Sequence, residues 1–363
     1  MEVLTRASLK GLATYRAGRT PEMLAREGGP AEAVKLSGNE SAFEPLPGVR
    51  EAISGSFEIN RYPDFFAQDL RQEVASLFGI DAEQVVPGCG SLPLLRSLVE
   101  ATCDAGDEAI MPELSFTTYA MATTVAGAIS VKVPMKDQAV DLEAMLAAIT
   151  PRTRIIFVCT PNNPTSTALS HTELEEFLSR VPSDILVALD EAYGDFATAD
   201  DAVDGIRILE KFPNVVSVRT FSKAYGLAGM RIGFAVAHPE LAPVLRQVTS
   251  PFSVSKISEA AAIASLLPAA QTELKERITR NKSERLRITL QLREIGFTVT
   301  ESHANFVWIP LGEKSAEFVA DCERRGVIIR AFPGAGVRST IGTTAENDAF
   351  LAAVREISKN YLC

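Results

Sequence analysis

The sequence is poor in the residues that build disulfide frameworks and metal centres. Its 363 residues include five cysteines, with no CxxC pair, and three histidines that stand far apart. Disulfide scaffolds need densely spaced cysteines, and zinc sites need closely spaced ligands. We therefore expect reduced thiols, no disulfide framework and no zinc site.

Excess positive charge and long apolar runs are also missing. The formal net charge is -10, whereas nucleic acids and anionic membranes attract clustered positive charge. No segment approaches the ~20 apolar residues of a membrane-spanning helix, and the first residues lack the apolar core of a signal peptide. We expect a cytoplasmic protein that binds neither nucleic acid nor membrane. The 46% apolar content suits a globular chain of about two domains.

A lysine-containing loop lies between two predicted strands. Residues 220–231 read Thr-Phe-Ser-Lys-Ala-Tyr-Gly-Leu-Ala-Gly-Met-Arg, between apolar runs at 215–218 and 232–236. Lys223 follows Ser222 and precedes Arg231, a pattern that suits an amine next to an anion site. Such an amine is what a Schiff base to a phosphorylated aldehyde cofactor requires. An ordinary surface turn with two solvated cations would explain the same residues.

A second loop, Gly88-Cys89-Gly90-Ser91, opens a predicted helix. Glycines have no side chain, so a ligand can come close to the backbone. The free N–H groups at the start of a helix favour an anion such as a phosphate. A plain glycine turn capped by Ser91 accounts for the motif equally well.

The middle of the chain alternates predicted strands and helices, which indicates a mainly parallel sheet covered on both faces. Strands are predicted at 108–111, 131–134, 155–159 and 185–189, and helices at 116–126, 142–149 and 170–180. Ligands of such sheets bind at the carboxyl ends of the strands. Asn163, Asp190 and Lys223 all follow predicted strands, so we expect them to lie close together.

Composition divides the chain into three parts. Residues 1–35 are predicted as an N-terminal arm, 36–250 as a large cofactor-binding domain, and 251–363 as a connecting helix and a small C-terminal domain. The connecting helix is predicted from 255 to 296. The α+β remainder has predicted strands at 305–309, 327–330 and 337–341, a helix at 316–325, and a final helix capped by Thr343 and Glu346.

Five motifs resemble those of a known family and occur in the same order along the chain. They are Asn-Arg-Tyr-Pro-Asp at 60–64, Pro-Asn-Asn-Pro at 161–164, Asp-Glu-Ala-Tyr at 190–193, the lysine loop, and Asn-Phe-Val-Trp at 305–308. The chain resembles the fold-type-I pyridoxal-phosphate aminotransferases along nearly its whole length, and most of all the histidinol-phosphate and aromatic amino acid aminotransferase subfamily. The resemblance implies an α/β fold, with a large domain built on a mainly parallel sheet covered by helices and a smaller α+β C-terminal domain. It also implies pyridoxal 5'-phosphate as cofactor.

The same resemblance assigns the catalytic and ring-binding roles. Lys223 would form the Schiff base and carry the proton between the substrate α-carbon and the cofactor. Asp190 would keep the pyridine nitrogen protonated, and Asn163 and Tyr193 would hydrogen-bond the phenolic oxygen. Phe116 would stack on the ring, although an ordinary core aromatic is the alternative.

The resemblance also assigns the phosphate site. Ser222, Arg231 and the backbone N–H groups of Gly90 and Ser91 would bind the cofactor phosphate, together with Tyr62 from a neighbouring subunit. A tyrosine supplied by a second subunit implies a homodimer with shared active sites.

The resemblance assigns fewer residues to substrate binding. Arg338 matches the arginine that grips the substrate α-carboxylate, and Tyr15 is a further candidate for substrate binding. Arg330 would face either an acidic substrate group or a surface carboxylate. The usual Thr-Gly after the Asn-Pro of the family is replaced by Thr-Ser-Thr at 165–167. This replacement, with the 88–91 loop and the 302–308 strand, favours the aromatic branch.

The predicted activity is transamination of aromatic L-amino acids with 2-oxoglutarate as the amino acceptor, so the expected partners are small amino acids and 2-oxo acids. The alternative is a histidinol-phosphate aminotransferase, which shares every catalytic group. A decarboxylase would need different control of the bond that breaks. A non-catalytic cofactor-binding regulator would need a basic DNA-binding module, for which this acidic chain has no spare segment.

Overall fold

The computed structural model describes residues 5–12, 18–30 and 32–362. Its helices are α1 Pro21–Arg26, α2 Val49–Ser54, α3 Gln68–Phe78, α4 Ser91–Thr102, α5 Thr118–Ala126, α6 Leu142–Ala147, α7 His171–Arg180, α8 Gly205–Leu209, α9 Ala242–Val248, α10 Lys256–Leu266, α11 Pro268–Ile295, α12 Ser315–Glu323 and α13 Thr344–Ile357. Its strands are β1 Val34–Lys35, β2 Val85–Gly88, β3 Glu108–Pro112, β4 Ile129–Val133, β5 Thr153–Cys159, β6 Leu186–Asp190, β7 Val215–Thr220, β8 Gly233–Val236, β9 Phe306–Ile309, β10 Val327–Ile328, β11 Arg330–Phe332 and β12 Gly336–Thr340.

A seven-stranded sheet organises the large domain. Its strand order is β2-β8-β7-β6-β5-β3-β4, and β3 to β7 run parallel, whereas β8 is antiparallel to both of its neighbours. The inner strands are apolar on both faces because helices cover both faces. On β5, Phe157 packs in one core with residues of α4 and α5, and the adjacent Val158 packs in another with residues of α7. The predicted mainly parallel, helix-covered sheet is confirmed.

A three-stranded antiparallel sheet, in the order β11-β12-β9, forms the small domain with α12, α13 and part of α11. The short strand β1 pairs in parallel with β10, where Val34 lies opposite Val327, and Leu36 packs in the core of the small domain. The three-part division of the chain stays a prediction, but the end of the predicted arm is attached to the small domain.

Two predicted elements are wrong. The single connecting helix is two helices, α10 and α11, because Leu267 between them has extended backbone angles (φ -67, ψ 153). Pro268 disfavours helical angles in the residue before it and suits the first position of a new helix. The strand predicted at 327–330 is divided between β10 and β11, because the chain changes its pairing partner from β1 to β12 at Ile329.

Both predicted capping boxes are confirmed. Ser170 and Glu173 cap α7 reciprocally, and Thr343 and Glu346 do the same for α13. These predictions are correct because a capping box depends on two residues only three positions apart.

In the part of the chain that the structure describes, no helix is long and apolar enough to cross a membrane. Within the same residues, no group of three or more His, Cys, Asp or Glu side chains is arranged to hold a metal ion. Cys89, Cys103, Cys159 and Cys322 are free thiols.

Candidate active site

A cavity of about 410 Å³ lies at the carboxyl ends of β5, β6 and β7, with walls from both domains. Ten of the predicted site residues line it: Ser91, Phe116, Asn163, Asp190, Tyr193, Ser222, Lys223, Arg231, Arg330 and Arg338. The expected convergence of Asn163, Asp190 and Lys223 is therefore observed, since all three come from loops or strand ends at one edge of the sheet. The chemical role of each residue stays a prediction.

Two predicted residues, Gly90 and Tyr62, are described but do not line the cavity. Gly90 is next to Arg231 of the cavity wall, because a Cβ added to Gly90 would come 2.5 Å from Arg231 Nη2. Tyr62 is 83% exposed and stacks on Phe252, with 4.8 Å between the ring centroids. It does not line the cavity of its own chain. Tyr15 is outside the residues that the structure describes.

Lys223 lies three residues beyond the end of β7. Its Nζ donates a hydrogen bond to the carbonyl of Gly38 at 3.2 Å and lies 5.7 Å from the centre of the Tyr193 ring. Burial lowers the pKa of Lys223 to about 8, and the positive charge of Arg338 acts in the same direction, against the negative charge of Glu40. A lysine of this kind is partly neutral near neutral pH, so it can act as a nucleophile or a base.

Asp190 ends β6 inside the protein. Its Oδ2 accepts a hydrogen bond from the Tyr119 hydroxyl at 2.6 Å, and its Oδ1 accepts one from the Ala192 N–H at 3.0 Å. Burial raises the pKa of Asp190, while these two hydrogen bonds oppose the rise. A buried carboxylate of this kind favours a cationic partner such as a protonated ring nitrogen. Sequence reasoning missed Tyr119, whose only signal was a hydroxyl-bearing aromatic in a predicted helix.

Hydrogen bonds of Arg338 connect the small domain to the large domain. Arg338 Nη1 donates to Asn163 Oδ1, and Arg338 Nη2 donates to the Ser37 carbonyl at 2.7 Å. Beside it, the Tyr193 hydroxyl accepts a hydrogen bond from Asn39 Nδ2 at 2.9 Å. Burial raises the pKa of Tyr193 to about 12, so its hydroxyl stays protonated and can donate to an oxygen in the cavity.

The start of α4 contributes Ser91 and Leu92 to the cavity wall. Ser91 is the first helical residue, and Gly90 precedes it at φ 90 with no side-chain cap. The predicted alternative, a turn capped by Ser91, is therefore wrong: a residue inside the helix is not its N-cap. Nearby, Arg231 Nη1 lies 3.3 Å from Ser222 Oγ. Free helix-start N–H groups, a hydroxyl and a guanidinium together suit a phosphate dianion.

This donor set fits a phosphorylated aldehyde that carries a basic ring nitrogen. The helix start and Arg231 suit its phosphate, the partly neutral Lys223 suits its aldehyde, and Asp190 suits its ring nitrogen. The glycine at position 90 leaves room for Arg231, because any Cβ there would collide with the guanidinium.

Comparison with known proteins agrees with this site. A model of the family described as aminotransferase class I and II matches residues 31–354. The chain belongs to the class I and II aminotransferases. It is 47% identical over 356 residues to an aromatic amino acid aminotransferase of Streptomyces avermitilis, with 98% of this chain and 97% of the relative covered. It is 52% identical over 322 residues to one of Rhodococcus erythropolis, covering 88% of this chain and 89% of that one.

Solved structures of other aminotransferases confirm the predicted fold type. A histidinol-phosphate aminotransferase of Sinorhizobium meliloti, in complex with pyridoxal-5'-phosphate, superposes with a TM-score of 0.87 at 30% identity over 98% of both chains. The aspartate aminotransferase of Thermus thermophilus, with maleate, has a TM-score of 0.82 at 22% identity over 93% of this chain and 94% of that one, which shows a shared fold.

Proposed function

We propose that this class I and II aminotransferase uses pyridoxal 5'-phosphate to transfer the amino group of aromatic L-amino acids to 2-oxoglutarate. The observation that carries the reaction type is the single cavity that holds Lys223, Asp190 and Arg338 together. The substrate class is supported by the relatives of 47% and 52% identity, both named aromatic amino acid aminotransferases.

Several residues of the cavity would hold the cofactor. When bound, pyridoxal phosphate supplies an electron-withdrawing ring that stabilises negative charge at the substrate α-carbon. Asp190 would keep the ring nitrogen protonated, and Asn163 and Tyr193 would bind the phenolic oxygen. The start of α4, Ser222 and Arg231 would bind the phosphate, and Phe116, in the same cavity wall, would pack against the ring.

Lys223 and Arg338 would act on the substrate itself. The neutral amine of Lys223 would take the proton from the substrate α-carbon and deliver it to the cofactor carbon that carried the aldehyde oxygen, a role that needs a pKa near the working pH. The planar guanidinium of Arg338 binds the α-carboxylate in a fork geometry that lysine could not reproduce. The rings of Phe306 and Phe332, whose centres lie 5.3 and 5.6 Å from the guanidinium carbon of Arg338, restrict the orientation of this group and so support the proposed role.

The proposal includes a homodimer in which Tyr62 reaches the cofactor phosphate of the neighbouring subunit. Its support is the exposed position of Tyr62 within a cluster of aromatic rings, outside the cavity of its own chain. Large exposed apolar patches mark interaction surfaces. The cytoplasmic location stays a prediction from the sequence.

Histidinol-phosphate transamination is the second candidate, and the solved structure at 30% identity favours it. The deciding measurement is kcat/KM of the holoenzyme for phenylalanine and for histidinol phosphate, each with 2-oxoglutarate. We expect phenylalanine to be preferred; a large preference for the phosphate ester would contradict the proposal.

Lys223→Ala is the control for the reaction type. Without its amine, the protein should lose the visible absorbance change on adding pyridoxal phosphate, and transamination should fall by about 10³-fold or more. Release of carbon dioxide without formation of a 2-oxo acid would indicate a decarboxylase instead.

A further inference from the structure

We propose that Asn39 is a positioning residue, which directs the hydroxyl hydrogen of Tyr193 into the cavity and so towards the phenolic oxygen of the cofactor. Asn39 would act through Tyr193. The inference rests on the proposed function, because it assumes that Tyr193 binds the cofactor there. It adds that two residues of the small domain, Thr340 and Asn305, hold Asn39 in the orientation that this role requires.

The contact between Asn39 and Tyr193 has a defined direction. Asn39 Nδ2 lies 2.9 Å from the Tyr193 hydroxyl oxygen. An amide nitrogen can only donate, so the hydroxyl accepts and keeps its own hydrogen for another acceptor. Within the residues that the structure describes, the hydroxyl makes no other hydrogen bond, and both side chains line the cavity. Its hydrogen is therefore available to an oxygen in the cavity.

Thr340 favours the amide orientation on which this direction depends. The Asn39 backbone N–H donates to Thr340 Oγ1 at 2.9 Å, and Thr340 Oγ1 lies 3.1 Å from Asn39 Oδ1. Because a backbone N–H can only donate, the threonine hydroxyl accepts from it and can give its own hydrogen to Asn39 Oδ1. The amide oxygen then faces Thr340, and the amide nitrogen faces Tyr193.

The small domain also holds the backbone of Asn39. The Asn39 carbonyl accepts a hydrogen bond from Asn305 Nδ2 at 3.2 Å, and Asn39 is only 1% exposed. Its φ of 53° lies in the left-handed region, which asparagine adopts more readily than most residues. Asn39 thus connects β12 and the residue before β9 to Tyr193, which follows β6 in the large domain.

The Tyr193 ring is held in place independently of its hydroxyl. The ring is buried and meets the Phe306 ring edge-on, with 5.0 Å between the centroids. The hydroxyl hydrogen can still turn about its C–O bond, and the Asn39 amide limits where it can point. Burial raises the pKa of Tyr193, and the hydrogen bond from Asn39 opposes this rise, which makes the hydroxyl a stronger donor.

Two readouts of the bound cofactor test this role without turnover. A donor to the phenolic oxygen stabilises negative charge there, and so favours loss of the proton that this oxygen shares with the Schiff base to Lys223. Weakening the donor should therefore raise the pH midpoint of the visible absorbance. The second readout is the affinity for pyridoxal phosphate, measured by absorbance titration of the cofactor-free protein.

Asn39→Asp is the most informative variant. It keeps the shape of the side chain and tolerates the left-handed φ, but replaces the donor towards Tyr193 by an oxygen that accepts, so the tyrosine hydrogen should turn towards residue 39. We expect the midpoint to rise by about one pH unit and the affinity to fall about tenfold, as for Tyr193→Phe. Asn39→Gly, which leaves the hydroxyl free to turn, should give a smaller change in the same direction.

A double-mutant cycle separates action through Tyr193 from action by any other route. Once Tyr193→Phe has removed the hydroxyl, adding Asn39→Asp should weaken cofactor binding by less than about threefold more, well below its effect alone. If Asn39→Asp does not fold, Asn39→Gly takes its place in the same cycle, and we then expect no further loss.

Asn347→Asp is the matched control. Asn347 on α13 is also 1% exposed, and its amide is hydrogen-bonded at both ends, from the Gly342 N–H to Oδ1 and from Nδ2 to Glu284, but it lies outside the cavity. The substitution places a second carboxylate next to Glu284, so it should lower thermal stability. It should leave the absorbance midpoint and the cofactor affinity unchanged.

Additive effects of Asn39→Asp and Tyr193→Phe would overturn the inference, because Asn39 would then act without Tyr193. An unchanged midpoint in Asn39→Asp, or an equal shift in Asn347→Asp, would also overturn it. A Tyr193→Phe variant with wild-type midpoint and affinity would refute the proposed role of Tyr193 and the role of Asn39 with it. Rejection of phenylalanine by a wild-type enzyme whose variants behave as expected would refute only the proposed donor class.

Discussion

At the scale of single residues, the pKa of Lys223 sets a pH dependence. Burial and Arg338 lower this pKa from 10.5 to about 8, so the amine becomes neutral as the pH rises through 8. We expect the rate at which the cofactor-free protein takes up pyridoxal phosphate to rise with pH, with a midpoint near 8. Stopped-flow absorbance between about pH 6 and 10 measures it. A midpoint near 10.5 would show that the amine is not desolvated.

Glu40 provides the internal control for this midpoint. Its negative charge raises the pKa of Lys223 against the effect of burial. Glu40→Gln removes that charge, so the midpoint of cofactor uptake should move to lower pH. A shift in the opposite direction would contradict the electrostatic explanation.

Tyr119 is expected to act through Asp190. Its hydroxyl donates to Asp190 Oδ2 at 2.6 Å and favours the ionised carboxylate. Tyr119→Phe removes this hydrogen bond, so Asp190 should hold the proton of the ring nitrogen less effectively. We expect kcat to fall by about tenfold, and the affinity for pyridoxal phosphate, measured by absorbance titration, to fall with it.

Phenylalanine is the appropriate substitute at position 119. The Tyr119 ring stacks on Phe157, with centroids 4.6 Å apart and 10° between the planes, and this packing survives the loss of the hydroxyl. A variant with unchanged thermal stability but reduced kcat would separate the hydrogen bond from the packing. Unchanged kcat and affinity would refute the role.

At the scale of elements, the start of α4 depends on a close approach by β8. A Cβ at Gly233 would lie 2.8 Å from the Arg219 carbonyl and 2.9 Å from the Ser91 N–H nitrogen. Gly233→Ala should therefore displace the phosphate-binding end of the cavity and weaken pyridoxal phosphate binding by about tenfold or more. Gly229→Ala is the control, because a Cβ at Gly229 meets nothing within 4 Å. Equal affinities of the two variants would contradict this prediction.

Elements whose signals are local were predictable from the sequence. The capping boxes of α7 and α13 and the apolar run of β5 are encoded by neighbouring residues. The strand ends then located Asn163 and Asp190, because the carboxyl ends of parallel strands share one edge of the sheet.

Other features depend on contacts between segments far apart in the chain. Asn39 reaches Tyr193, 154 positions away, and the Gly38 carbonyl meets Lys223, 185 positions away. No spacing rule connects such pairs. The division of the strand at 327–330 likewise depends on β1, a two-residue strand too short to have a periodic pattern.

At the scale of the whole molecule, a cluster of exposed aromatic side chains provides the surface for the proposed dimer. Phe252 stacks on Tyr62 at 4.8 Å and meets Phe65 edge-on at 5.0 Å, and all three rings are exposed. We expect Phe65→Ser combined with Phe252→Ser to shift sedimentation towards the monomer at micromolar concentration. Leu286→Ser, which changes an exposed apolar residue on α11, is the control. A double variant that stays dimeric would place the interface elsewhere.

Mixed dimers test whether Tyr62 acts across that interface. Tyr62→Ala and Lys223→Ala damage the same site if Tyr62 comes from the neighbouring subunit, so each homodimer has only defective sites. After subunit exchange in equal amounts, about a quarter of all sites should combine an intact Lys223 with an intact Tyr62, because half of the dimers are mixed and each has one such site. Transaminase activity at limiting pyridoxal phosphate should then exceed the average of the two separate homodimers. Activity that stays at this average after confirmed exchange would show that Tyr62 does not serve its neighbour's site.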